Sequence, residues 1–250
     1  KLHQNGAMLV DGIDFNTSPN EADELFRKIT ARCDFYNVFA GLSYSCLMPK
    51  NAWCALVEFS LFLRENGLKS INQSMLQSIL ESTVKRTKRN FNGQFTTPAV
   101  LARMLVRMTV RNWMEDTADF CCGTGTIPHE MIEIKRGKVG ISKAIETTWA
   151  SDKYKTPLQV ANLSLVSYDT INKANRLFQK NIFELKIGDV VKIVNPSDGN
   201  MMKVSVPTFG AICSNLPFIS FENISEEDKE LVEKFMDARM IDRKADLSYY

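Results

Sequence analysis

Three short stretches of this 250-residue chain carry side chains whose types and spacing could do chemistry. Asp119-Phe-Cys-Cys-Gly123-Thr124-Gly125 reads as a strand that turns on two glycines into a helix. Glycine lets backbone approach a ligand closely, and a helix start offers unpaired N–H groups. No lysine follows to complete a phosphate-binding loop, so a nucleoside-bearing cofactor fits the turn better than a nucleoside triphosphate. The second stretch, TTWASD, is a strand ending on Asp152. A carboxylate there can accept from two ribose hydroxyls at once, or it can cap the helix that follows. The third, CSNLPF from Cys213 to Phe218, ends the apolar run FGAIC on an amide, Asn215. That is a plain turn by itself, yet strand ends of this kind are where α/β sheets meet their ligands.

These groups need a scaffold, and the chain supplies two kinds. Ser18-Pro19-Asn20-Glu21 is a capping box with proline at the first helical position, ahead of Leu25, Phe26 and Ile29 at helical spacing. Two further helices are predicted over Trp53 to Arg64 and Ser74 to Val84, with a turn at Gly67 between them and no period-two strand before about residue 115. Residues 1–90 therefore read as a helical N-terminal domain. It ends in VKRTKRN, where Lys85, Arg86, Lys88 and Arg89 form either a solvated helix end or a phosphate-contacting patch.

From Asn92 the pattern changes. The polar loop NGQFTTP ends at Pro98 and leads into the helix AVLARMLVRMTV, with Arg103, Arg107 and Arg111 along one face. Strands at TADF, TTWASD and FGAIC alternate with helices after the glycine turn, over Pro157 to Val166, and after the cap at Ser225. NIFEL and a loop carrying Pro196 and Gly199 lie before the last of these strands. Such alternation implies an α/β fold: a doubly wound, Rossmann-like parallel sheet with helices on both faces.

Composition narrows the class. At 44% hydrophobic the chain can bury a real core, and a net charge of +2 neither demands nor excludes a nucleic-acid partner. No run approaches the length of a membrane span, and the start lacks the apolar core of a signal peptide, so a cytoplasmic protein without membrane association is expected. Six cysteines without a CxxC pair, and only two histidines, argue against a zinc site and against a secreted disulfide framework. The first residue is Lys1 rather than Met, so the ends need not be natural ones.

Taken in order, Gly93-Gln94-Phe95-Thr96-Thr97-Pro98, Asp119 to Gly125, Asp152 to Asn162 and Asn215-Leu216-Pro217-Phe218 resemble four motifs of the gamma-type S-adenosylmethionine-dependent amino-methyltransferases. They are similar in particular to the adenine-N6 DNA methyltransferase subunits of type I restriction–modification systems, which show a GQF-x-TP loop, a D-x-x-C-G-T-G turn, an E-x-x-x-x-T-x-x-L-A-x-x-N segment and an NPPF tetrad. The resemblance covers residues 91–250, the expected methyltransferase domain. It implies that Phe95, Thr96, Thr97 and Pro98 lie over the methionine end of S-adenosylmethionine. Asp119, Cys121, Gly123, Thr124 and Gly125 would hold its sulfonium and amino-acid portion, Asp152 its ribose, and Asn181 and Ile182 its adenine ring.

In the family, adenine N6 is made nucleophilic by giving up two hydrogen bonds, here to the Asn215 side chain and the Leu216 carbonyl. Pro217 would stiffen the loop and Phe218 would stack on a base extruded from double-stranded DNA. Specificity and restriction subunits are implied as partners, and no metal. Three departures stand out. Leu216 replaces the usual first proline, as in the NLPY of rRNA adenine dimethyltransferases. Asn181 stands where an acid is usual. Only about four strands can be placed of the about seven that such a sheet needs, so it is expected to be incomplete at its C-terminal end. Methylation of RNA adenine or of a protein glutamine is the alternative activity, and a catalytically silent binding module the alternative class.

Overall fold

The computed structural model describes residues 13–33, 48–66, 97–166, 169–170, 172–217, 219–220, 225–237 and 248–249. The capping box closes reciprocally at its start. The Ser18 N–H donates to Glu21 Oε2 at 2.7 Å, and the Glu21 N–H donates to Ser18 Oγ at 3.3 Å. Helix α1, Pro19–Cys33, follows and packs against α2, Lys50–Glu65. Their shared core is Ile13, Ala22 and Val57, flanked by Leu25, Phe26, Trp53 and Leu61. Trp53 also ties the helices to the incoming chain, its indole N–H donating to the Thr17 carbonyl at 2.7 Å. The helix predicted over 74–84, the basic run 84–90 and the domain boundary near residue 90 lie outside the described residues.

The second unit is built on a four-stranded parallel sheet of order β3-β2-β1-β6. Its elements run β1 (Thr117–Asp119), α4 (Thr126–Val139), α5 (Ile141–Glu146), β2 (Thr148–Asp152), α6 (Lys155–Leu165) and β3 (Arg176–Gln179), with α3 (Ala99–Thr109) ahead of them. Parallel strands are linked by right-handed crossovers. The steps β1-α4-β2 and β2-α6-β3 therefore lay their helices on one face, and the return from β3 to β6, on the far side of β1, must cross the other.

Side-chain alternation records the two faces. Ala150 and Leu177 meet Leu158 and Ala161 of α6, whereas Ala118, Trp149 and Phe178 point the opposite way, onto Val191, Ile193 and Val206. The expected Rossmann-like α/β fold is thus present. Among the described residues the second face is covered by an antiparallel hairpin, β4 (Val190–Val194) with β5 (Met201–Ser205), where helices were expected. The stretch predicted as a loop around Pro196 and Gly199 is the hairpin's tip. There the Asn195 N–H donates to the Asn200 carbonyl, and the Gly199 N–H to that of Asn195, both at 2.8 Å. Strand β5 escapes a periodicity reading because four of its five residues are exposed and leave no alternation.

Trp149 and Phe209 stack edge-to-face across this second core, ring centroids 6.1 Å apart, and the Trp149 indole N–H donates to Asp116 Oδ1 at 2.8 Å. The strand expected over 209–213 pairs with β1 through β6 (Ala211–Ile212), extended by Gly210 N–H to the Asp116 carbonyl and Cys213 N–H to the Ala118 carbonyl. The remaining described elements are a short pair, β7 (Ile219–Ser220) with β8 (Ser248–Tyr249), and α7 (Glu226–Asp237). As its sequence predicts, α7 is capped by Ser225, whose Oγ accepts from the Asp228 N–H at 3.3 Å. No helix among the described residues is long and apolar enough to cross a membrane.

Two polar anchors set α3 and α4. Arg103 on α3 donates through Nε and a terminal nitrogen to the two carboxylate oxygens of buried Glu130 on α4, at 2.7 and 3.1 Å. Lys135, also on α4, is fully buried and donates to the Glu115 carbonyl, the Thr147 carbonyl and Thr147 Oγ1, each at 2.9 Å. The segments leading into β1 and β2 are thereby pinned to one ammonium, whose pKa burial lowers to about 8.

Gly125 begins α4 at φ +89°, and a Cβ there would stand 2.7 Å from Ser164 Oγ and 3.0 Å from the Ala161 backbone on α6. Gly125→Ala should therefore lower stability by about 3 kcal/mol, through strain and overpacking together. Gly123 has φ +51° but open space where its Cβ would be, so Gly123→Ala should cost only about 1–2 kcal/mol. Urea denaturation of the two variants checks the order.

Candidate active site

The carboxyl ends of β1, β2 and β6 converge, and hydrogen bonds between their loops bind them into one surface. Asp152 closes β2 with a carboxylate that accepts from backbone donors of both neighbouring turns. Gly123 N–H reaches Oδ2 at 3.0 Å, and Tyr154 N–H reaches Oδ1 at 2.9 Å. The glycine turn and the strand-end acid are thus one unit. Asp152 is not the N-cap of α6, a position taken by Tyr154. Burial raises its pKa while the backbone donors pull it down. The side chain is partly exposed.

Asp119 stands in a different position. It is only 1% exposed, and its Oδ1 accepts from the Cys121 N–H at 3.1 Å. The Ser214 hydroxyl is hydrogen-bonded to the same carboxyl and also accepts from the Phe120 N–H at 3.1 Å. Burial pushes the Asp119 pKa from 3.8 to about 7, with the neighbouring Asp152 charge adding to the rise and the Ser214 and Cys121 bonds opposing it. The group binds the end of β1 to the end of β6. Ser214 stood unassigned in the CSNLPF stretch, although it is the residue that makes this joint.

Asn215 comes next on β6's exit. Its Nδ2 donates to Thr97 Oγ1 at 3.1 Å, across the segment that leads through Pro98 into α3. Leu216 and Pro217 are partly exposed beside it. Phe95, Thr96 and Phe218 lie outside the described residues. Thr124 contributes its carbonyl to Ser164 Oγ at 3.0 Å, linking the turn to α6.

Asn181 lies at the exit of β3 and is buried. Its Oδ1 accepts from the Phe183 N–H at 3.2 Å, and its Nδ2 donates to Asp228 Oδ1 at 3.0 Å. The other Asp228 oxygen takes Ser225 Oγ at 2.8 Å and the Lys153 ammonium. A carboxylate is therefore present next to the Asn181 position, delivered by α7, where the sequence showed only a helix cap. Ile182 packs into the apolar cluster under the hairpin.

Both cysteines of the turn hold protons. Burial, with Asp119 and Asp152 adding, pushes the Cys121 pKa up to about 12, and Cys122 is raised by the same causes. Neither is a thiolate nucleophile near neutral pH. Among the described residues, no group of three or more His, Cys, Asp or Glu side chains is placed to hold a metal ion.

Residues 86–242, more than half of the chain, match the family model described as RMKL-like, methyltransferase domain. No curated protein sequence matches the chain.

Two outcomes follow from the site's electrostatics. The folded pKa of Asp119 lies above its unfolded value, so the native state holds the proton longer. The contribution of Asp119 to stability is then flat below about pH 4 and declines as pH rises toward 7. Asp119→Asn keeps the shape and loses this titration. Urea midpoints of wild type should accordingly fall relative to the variant between pH 5 and 8. Native alkylation with iodoacetamide at pH 8, mapped by peptide mass, should modify exposed Cys54 and spare Cys121, Cys122 and Cys213.

Proposed function

Because the chain belongs to the RMKL-like methyltransferase domain family, we propose that it transfers a methyl group from S-adenosylmethionine to an exocyclic amine of a nucleobase in nucleic acid, adenine N6 being the first choice. The observation that carries this reading is the seating of Asn215, which bonds Thr97 and follows Ser214, the residue that accepts from the Phe120 N–H at the end of β1. A methyl donor in the turn and an amine at Asn215 would be neighbours.

The cofactor, when bound, supplies a methyl group activated by a positively charged sulfur. The residues present suit it: Gly123 leaves open space at the turn, and the Asp152 carboxylate is partly exposed at the strand end. In this reading Asp119 and Asn181 act as positioning residues, because their polar atoms are engaged within the protein. Cys121, Thr124 and Gly125 shape the turn, Ile182 supports the floor near the adenine, and the resemblance assigns Phe95, Thr96, Thr97 and Pro98 to the methionine end. The Asn215 Oδ1 and the Leu216 carbonyl accept the two N–H bonds of the amine. Its lone pair, otherwise delocalised into the ring, is then localised toward the methyl group, and no base is needed before attack. The resemblance assigns Pro217 and Phe218 to the seat of the base.

The substrate polymer is the finer question. The motif order resembles DNA-modifying subunits that work with specificity and restriction partners, whereas the family supports RNA at least as well. Incubation with tritiated cofactor and, in turn, unmethylated duplex DNA, RNA and protein extract separates them, and label in protein alone would overturn the nucleic-acid reading. Asn215→Ala should lower transfer by about 100-fold or more. Cofactor affinity, measured by calorimetry, should change by no more than about twofold, since the interaction removed is with the amine.

A further inference from the structure

The chain that leaves β6 on one side of β1 is attached again on the other side. Ser214 meets the end of β1 through the Phe120 N–H, and by the first turn of α7 the chain has reached the exits of β2 and β3. Asp228 makes that second attachment. It is 5% exposed, and both of its oxygens are engaged. Oδ1 accepts from Asn181 Nδ2 at 3.0 Å, while Oδ2 accepts from Ser225 Oγ at 2.8 Å and takes the Lys153 ammonium. The Ser225 contact belongs to the helix cap, but the other two reach the ends of different strands. Further along α7, Phe235 stacks edge-to-face on Phe183 with ring centroids 5.5 Å apart, so an apolar contact seats the helix there as well.

The Lys153 contact bears on the site. Lys153 is the middle residue of the turn in which the Tyr154 N–H donates to Asp152 Oδ1 at 2.9 Å. Its carbonyl accepts from Gln179 Nε2 at 2.9 Å, which ties the same turn to the end of β3. A lysine ammonium on its flexible stem is ordinarily left to water. Here a buried carboxylate gives it one place. We propose that Asp228 is a positioning residue for the cofactor: by holding Lys153 and Asn181 it fixes the turn that presents the Asp152 carboxylate. The inference rests on the reading of Asp152 as the ribose contact of S-adenosylmethionine. It gives α7 a task at the site that its sequence does not announce.

Asp228→Asn keeps the shape but turns one acceptor into an NH2 group, which then faces either Lys153 or Asn181, both donors. Lys153→Met removes the ammonium from a partly exposed position and keeps the stem. Calorimetry with S-adenosylhomocysteine and its 2′-deoxyribose analogue reads the ribose contact. Wild type should favour the ribose form about tenfold. Each variant should bind that form about tenfold more weakly and keep a preference of about twofold or less, and the double variant should be no worse than the weaker single one. With tritiated cofactor and the nucleic acid that takes label, the KM for cofactor should rise while kcat changes little. A merely structural loss would weaken both ligands alike and leave the preference intact, a result that overturns the proposal. Should Asp228→Asn fail to fold, Lys153→Met decides alone by the same preference. If wild type binds neither form or shows no preference, the reading of Asp152 fails and the proposal with it; if wild type shows one and the variants keep it, only the role of Asp228 fails.

Discussion

The joint between β1 and β6 is the constraint on which the rest of the molecule depends. Winding reverses there. Strands β2 and β3 step away from β1 on one side, and β6 pairs on the other. A reversal leaves the two following loops diverging over opposite faces and opens a crevice at the strand ends. The carboxyl of Asp119, with Ser214 and the Phe120 N–H, ties the loops where they part. A buried carboxyl with a pKa near 7 is an expensive fastener, and its cost is borne where the two sides of the site must keep a fixed spacing. Elsewhere ordinary packing serves, as in the apolar layer between α6 and the sheet.

Much of the fold was legible in the residues because its signals are local. The capping box at Ser18, the glycine turn after Asp119 and the cap at Ser225 each announce themselves within four to seven residues. The hairpin β4-β5 did not, since a mostly exposed strand gives no alternation and its tip resembles any polar loop. Strand β3 was equally silent, its two apolar residues lying between Arg176 and Gln179.

The site divides along the same line. Spacing placed Asp119, Asp152 and Asn215 at strand ends, but it could not say which way each carboxyl or amide faces. Asp119 turns inward to Cys121 and Ser214, while Asp152 stays partly open. Asn181 is engaged by Phe183 and by Asp228 from α7, a residue 47 positions further on. Thr97 and Asn215 are 118 positions apart. Contacts of that range leave no trace in a local pattern. They arise only when topology brings the segments together.

The same separations give the site an order of assembly. Gly123 and Asp152, joined within 29 positions, belong to a single strand-helix-strand unit, whereas Phe120 waits for Ser214 across 94. Loop-closure entropy rises with length, and distant pairings form later than near ones. A chain emerging from the ribosome can complete the glycine turn and its acid before β6 has been synthesised. The far side of the sheet is then added later, by insertion of one short strand beside β1. Until that strand is in place, the Phe120 N–H lacks its partner on Ser214 and the Thr97 hydroxyl lacks Asn215.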